Sequence, residues 1–314
     1  MRIFFSYTLL ALISLAFMAC GGEATEDKAP DQQDSAVLTP SKRVMYLEDK
    51  GLASPESIIK HGDVYYIANV GKELLPSEKD GDGFISKMDS EGNALEGHFV
   101  SEGLDAPKGM AILNGILYVA DVDKVKGFDL ASGNAAGEID FSFSGTSFLN
   151  DIVAKSGSEI FVSATDINKV YLVKLPDGTP EEIVTQPTIQ KPNGLAYDAS
   201  KNLLYVSTFA PEASGVIGMV TMKPNLNTFT TLSGDYKGSL DGIGMLGEFI
   251  YFTDWNNGSL LLLNSESGQV GRYPVGLPSE QIKGPADAYL DEEKGEFWIP
   301  GMQENTVTIL SLPF

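Results

Sequence analysis

Two carboxylates, two carboxamides and one ammonium recur at matching places along this chain: Glu56, Lys108, Asn150, Asn193 and Asp241, with Ala286 ending the series. Each lies at the start of a short apolar stretch, at steps of 52, 42, 43, 48 and 45 residues. Brought side by side, such stretches make the acids and amides converge. Buried acids and amides are costly unless hydrogen-bonded or metal-bound. A hard divalent cation satisfies two carboxylates and two amide carbonyls at once; a hydrogen-bonded polar plug is the alternative. No His or Cys stands in the set, which disfavours zinc and copper. The expected metal ligands are therefore Glu56, Asn150, Asn193 and Asp241. Calcium is the first choice, with magnesium or manganese as substitutes.

The elements that must position these residues form an internal repeat. The segments are SPESIIKHGDVYYIANV, APKGMAILNGILYVADV, FLNDIVAKSGSEIFVSAT, KPNGLAYDASKNLLYVSTF, SLDGIGMLGEFIYFTDW and GPADAYLDEEKGEFWIPG. Each is a short apolar stretch, a polar turn, and an aromatic and β-branched strand. Third strands follow as FISKMD, KVKGFD, KVYLVKL, IGMVTM, SLLLLN and TVTILS, and most units add a fourth, such as LEGHFV or GRYPV. Four short strands in a repeat of about 40–50 residues mark a propeller blade. No helical period runs long enough to compete. The expected fold is all-β, a six-bladed β-propeller over residues 42–314. Only three residues follow TVTILS, so the last blade lacks a fourth strand. RVMYLE, from Arg43 to Glu48, is predicted to complete it and close the ring, removing an exposed sheet edge. In a propeller the first strands line the central channel, so the recurring position falls near one mouth.

Arg2, the apolar run Ile3 to Phe17 and Met18-Ala19-Cys20 resemble a bacterial lipoprotein signal peptide over residues 1–19, with the lipid on Cys20. Residues 20–41 are polar, acidic and Pro-containing, and are expected to form a flexible tether. Gly21 follows Cys20 in place of the Asp that retains lipoproteins at the inner membrane. The expected location is the outer membrane, facing the periplasm or the cell surface. Cys20 is the only cysteine, so no internal disulfide forms. A formal net charge of −21 argues against nucleic acid. The sequence carries neither G-x-x-x-x-G-K-[ST] nor G-x-S-x-G. A monomer acting on a small molecule is expected.

Glu56, LND at Leu149 to Asp151, PNG at Pro192 to Gly194 and LDG at Leu240 to Gly242 occur in blade order. This pattern resembles the regucalcin/gluconolactonase family and the related paraoxonases and diisopropylfluorophosphatases, over roughly residues 43 to 314. The resemblance implies a catalytic calcium or similar metal on Glu56, Asn150, Asn193 and Asp241. It also implies hydrolysis of an ester or lactone. Asp241 would touch the metal and guide or accept the nucleophile's proton. Two positions depart from the pattern. Lys108 stands where paraoxonases carry a His, and Phe148 where gluconolactonase-like proteins place an Arg that helps hold sugar-acid oxygens.

Lys108 is read either as a binder of an acidic substrate group or as a charge partner of Asp151 and Glu56. Asp151 is read either as an orienter of a ligand or metal water or as a strand-end turn former. Asp287 is a weaker candidate of the same kind. The loop Glu73 to Gly83 is a lid, a second calcium loop or a solvated turn, the last favoured because DGDG lacks the spaced ligands and final Glu of an EF-hand loop; His61 and His98 are surface residues, and Trp255 and Trp298 serve packing. The rival function is a non-catalytic ligand- or protein-binding propeller with a structural metal.

Overall fold

The computed structural model describes residues 42–46, 51–176, 178–210, 212–224, 226–273 and 282–312. Cys20, the leader 1–19 and the tether 20–41 lie outside them. Six antiparallel sheets succeed one another along the chain as the blades of a β-propeller. Blade one is Pro55–His61, Val64–Asn69, Phe84–Met88 and Ala94–Val100, paired in that order. Blades two to five begin with Pro107–Leu113, Leu149–Ser156, Pro192–Asp198 and Leu240–Leu246. Blade six runs Tyr289–Asp291, Glu296–Gly301 and Thr306–Ser311.

Its outer strand comes from the other end of the chain. Lys42–Tyr46 pairs antiparallel with Thr306–Ser311, Lys42 opposite Leu310 and Tyr46 opposite Thr306. The ring is closed as the sequence predicts.

Local chemistry makes the hairpins. The first two strands of blade two join at Asn114-Gly115, both at positive φ (53° and 79°), the turn whose twist matches the flanking strands. Alternation then turns one face of every strand to each neighbouring blade. Apolar packing accordingly fills the gaps between blades. Ala111, Tyr118 and Val125 of blade two meet Ile152, Ile160 and Val162 of blade three in one core. Ile58, Tyr65 and Ile67 of blade one meet Trp298, Val307 and Ile309 of blade six in another. At this closing seam Trp298 stacks on Tyr65, with ring centres 3.9 Å apart.

One element was not anticipated. Thr185–Gln186 pairs parallel with Asn227–Thr231, giving blade four a fifth strand. The Asn227 side chain supports it by donating to the Val184 carbonyl at 3.0 Å.

The fold also sets how the recurring position is presented. In blades one to five the pairing of first and second strands slips straight after the first pair, between Pro55 and Ser57, Pro107 and Met110, Leu149 and Ile152, Pro192 and Leu195, and Leu240 and Ile243. A bulge of this kind re-aims the residues inside it. Those residues include Glu56, Lys108, Asn150, Asn193 and Asp241.

Candidate metal centre

All six recurring residues are buried, none more than 7 % exposed. Their chemistry is unbalanced. Glu56 Oε2, Asn193 Oδ1 and Asp241 Oδ1 are buried oxygens with no hydrogen-bond partner in the protein. Each comes from a different blade at the same register. Leaving one such oxygen unsatisfied costs about 1–3 kcal/mol, and a bound cation or ordered water would offset it. The Asn193 side chain lies beside the Asp241 carboxylate and opposes the rise of its pKa. Asn150 occupies the equivalent place in blade three and is buried too.

Electrostatics ties the set together. Burial, then the neighbouring charges of Asp241 and Asp287, pushes the Glu56 carboxyl well above the usual carboxylate range, against a smaller opposing effect of Lys108. Burial and the charge of Asp151 push Asp241 up to about 7. Burial raises Asp151 to about 6, although two backbone N–H groups oppose the rise. Asp287 is raised well above its ordinary value by burial and by Asp151. Four carboxyls thus crowd one desolvated space with one ammonium, and as anions they need a cation. Among the described residues no three His, Cys, Asp or Glu side chains group as a metal set by themselves. The donor set here is mixed, two acids with two amides, and oxygen-only donors of this kind suit calcium or magnesium.

The other acidic candidates lie beside the ring and are held by protein groups. Both oxygens of Asp151 are engaged: Ile152 N–H donates to Oδ1 and Leu195 N–H to Oδ2, each at 2.6 Å. Asp151 therefore bolts blade three to blade four. Asp287 accepts from the Ser57 hydroxyl at 3.0 Å, and its N–H donates to the Glu56 carbonyl at 2.9 Å.

Lys108 is not the ion-pair partner of Asp151 that the sequence suggested as one alternative. Its Nζ donates to the Ala106 carbonyl at 2.8 Å and lies 4.8 Å from the centre of the half-buried Phe148 ring. Burial lowers its pKa to about 8, with Glu56 the largest opposing charge. In blades one, three, four, five and six the carbonyl two residues before the recurring position accepts a backbone N–H, from Val70, Thr165, Phe209, Trp255 and Met302. In blade two Lys108 caps that carbonyl with its own side chain, while Val122 sits at φ 53°. The two departures from the family pattern, Lys108 and Phe148, are thus one contact.

A layer that sequence reasoning missed lies behind the ring. In blades three, four and five a hydroxyl on the second strand accepts an N–H from its own blade: Ser163 from Asp151 at 2.9 Å, Ser207 from Gly194 at 2.9 Å, Thr253 from Gly242 at 2.9 Å. Each donates onward to the recurring residue of the next blade. Ser163 reaches the Asn193 carbonyl at 2.6 Å, Ser207 reaches the Asp241 carbonyl, and Thr253 reaches the Ala286 carbonyl at 2.9 Å. The signal was present in the repeat, where one column reads Ala68, Ala120, Ser163, Ser207, Thr253 and Pro300.

The mouth above the ring is partly apolar. Val70, Ala106, Val122, Ala286 and Met302 pack together across blades six, one and two. The loop of blade one leaves its second strand after Asn69, which pairs with Pro55, so it stands at this same mouth. Asp82 Oδ2 accepts Lys72 N–H at 2.9 Å, and Lys79 bridges to Asp123 of the next blade at 2.6 Å. Leu74 and Leu75 remain exposed. His61 is exposed at a strand end, His98 stacks on Phe84, and Trp255 packs edge-on to Phe209.

No protein-family model matches the chain, and no curated protein matches it. Solved structures do. A gluconolactonase from Xanthomonas campestris shares 16% identity at a TM-score of 0.61, over 87% of this chain and 90% of that one. An auxiliary nutrient binding protein from Bacteroides thetaiotaomicron shares 12% at a TM-score of 0.64, over 84% of this chain and 70% of that one. A virginiamycin B lyase from Staphylococcus aureus, in a structure with quinupristin, shares 15% at a TM-score of 0.58, over 87% and 100%. At these identities the likeness is one of fold, and by fold the chain is a six-bladed β-propeller of the kind that these proteins share.

Proposed function

We propose that this chain is a calcium-dependent hydrolase of a small ester or lactone, of gluconolactonase-like build. The observation that carries the reading is the trio of buried, partnerless oxygens, Glu56 Oε2, Asn193 Oδ1 and Asp241 Oδ1, at one register of three blades. With Asn150 they form the ligand set for calcium, or for magnesium or manganese in its place. When bound, such an ion polarises a carbonyl oxygen and lowers the pKa of water.

The chain's own groups do the rest. Asn193 sits beside the Asp241 carboxylate and opposes the rise of its pKa, while its own Oδ1 is without a partner in the protein. Asp241 accepts the nucleophile's proton; burial and Asp151 push its carboxyl up to about 7 in the metal-free protein, and a bound cation would lower it again. Asp151 fixes the first strands of blades three and four relative to each other. Lys108, engaged by the Ala106 carbonyl and the Phe148 ring, gives the ring a fixed positive neighbour. With Phe148 in the place of the family's Arg, recognition of a polyhydroxylated sugar acid lacks its usual anchor. A lipid on Cys20 would hold the monomeric propeller at the outer membrane, facing the periplasm or the cell surface.

A second reading is a binding propeller with a structural metal; the likeness to a nutrient-binding protein favours it. One experiment separates the two. Turnover of a panel of lactones and aryl esters is expected to require calcium, to stop with EDTA, and to fall on the order of 10²–10⁴-fold in Asp241→Asn. Calcium-dependent stabilisation with no turnover on any substrate would favour the binding propeller. Turnover unchanged in Asp241→Asn would remove Asp241 from the chemistry.

A further inference from the structure

We infer that Ser163, Ser207 and Thr253 are positioning residues that set the spacing of the ring's ligands, and so its affinity for a divalent cation. The inference rests on the proposed reading of the ring as a metal site.

Three blades in succession carry the same connection. In each, a hydroxyl accepts the N–H of the residue after the recurring position and donates to the carbonyl of the next blade's recurring residue. The chain of bonds runs Asp151 N–H to Ser163 to Asn193 carbonyl, then Gly194 N–H to Ser207 to Asp241 carbonyl. A hydroxyl is suited to this because it donates and accepts at once. All three side chains are fully buried, so no water competes for these bonds.

The geometry behind them leaves no slack. A Cβ on Gly194 would lie 2.5 Å from the Asp241 carbonyl oxygen and 2.9 Å from Ser207 Oγ. The backbones of blades four and five therefore touch where the hydroxyl ties them. The two ligands with partnerless oxygens on this side, Asn193 and Asp241, are the two whose own carbonyls the serines hold. On the other side of the ring Ala68 and Ala120 occupy the column. There Glu56 is held through its carbonyl by Asp287 N–H. The hydroxyls thus fall on the arc of the ring that contains three of the four ligands. Partners one shell out from a metal typically alter its affinity about 10–100-fold when removed.

The test uses the full chain. Calcium is titrated by calorimetry, and manganese is followed by its electron paramagnetic resonance line shape. Ser207→Ala is expected to weaken calcium binding on the order of 10-fold and to broaden the manganese spectrum. Ser207→Thr is expected to keep the parent's affinity, because Thr253 already fills this position in blade five. Ser163→Ala, which frees the Asn193 carbonyl, is expected to act in the same direction. It keeps the inference testable if Ser207→Ala does not fold. Parent-like calcium affinity in the folded alanine variants, even with a lowered Tm, would overturn the inference while leaving the metal reading intact. A parent protein that binds neither calcium nor manganese would overturn both.

Discussion

Gly242→Ala is expected to lower the Tm by roughly 4–6 °C, about 2–3 kcal/mol for a chain of this size. The added Cβ would stand 2.5 Å from the Asp287 Cα and 2.7 Å from the Ala288 nitrogen. Both are backbone atoms of the neighbouring blade, and no rotamer change moves them away. Blade five can accept the methyl only by withdrawing from blade six, which strains the Thr253 bonds to Gly242 and the Ala286 carbonyl. Gly247→Ala supplies the comparison. Gly247 sits in a turn at φ 59° with nothing within 4 Å of a Cβ, so its variant bears only the left-handed backbone penalty of about 1–2 kcal/mol. Thermal melts of the two variants beside the parent check the ranking. A Gly242→Ala shift no larger than that of Gly247→Ala would show that the blades do not meet as closely as described.

Asp241→Asn is expected to raise the Tm of the metal-free protein above neutral pH and to abolish its response to calcium. Without a cation, ionised Asp241 is a desolvated charge facing the charge of Asp151, with Glu56 and Asp287 close enough for the charge of Asp241 to raise both. Its Oδ1 has no partner to offset that burial. The amide keeps the shape and removes the charge. A calcium ion, in contrast, loses one of two anionic ligands. The loss of affinity should exceed the roughly 10–100-fold typical of residues that only support a ligand. Melting curves in EDTA and in calcium read both effects. An Asp241→Asn protein less stable than the parent in EDTA at high pH would contradict the crowding of charge described for the ring.

Much of this was legible in the residues. The blades are written locally, in alternating strands and in turn residues such as Asn114-Gly115, so their number and order follow from the repeat. The closing strand was legible because blade six runs out of chain after Ser311 while an unassigned strand pattern stands at Arg43. The recurring column Glu56, Lys108, Asn150, Asn193, Asp241 and Ala286 was legible for the same reason, as a matching place in each repeat.

Around the site, three things were not. The register slip that follows the first strand pair is a backbone event with no residue type of its own. The destination of Lys108 was hidden because its partner is the Ala106 carbonyl, and every residue has a carbonyl. The hydroxyl column Ser163, Ser207 and Thr253 could be seen, but its acceptors are likewise carbonyls, one blade further on. Side-chain pairs announce themselves in a sequence by complementary types; side-chain-to-backbone ties do not.

The central claim is that two acids and two amides from four blades share a cation, and the dependence of stability on pH with and without calcium tests it most directly. Asp241 is raised to about 7 and Asp151 to about 6, and Glu56 and Asp287 lie well above their ordinary values. A carboxyl raised in the folded state holds a proton that the unfolded chain has already released. Its contribution to stability is complete below the unfolded value of about 4 and is lost as pH rises through the folded value. The metal-free protein should therefore lose Tm between about pH 5 and about pH 8, and calcium in large excess should restore it, by about 2.7 kcal/mol at 100 times its Kd. The account predicts a calcium-induced rise in Tm that is larger at the higher pH; a Tm that calcium leaves unchanged at both would contradict it.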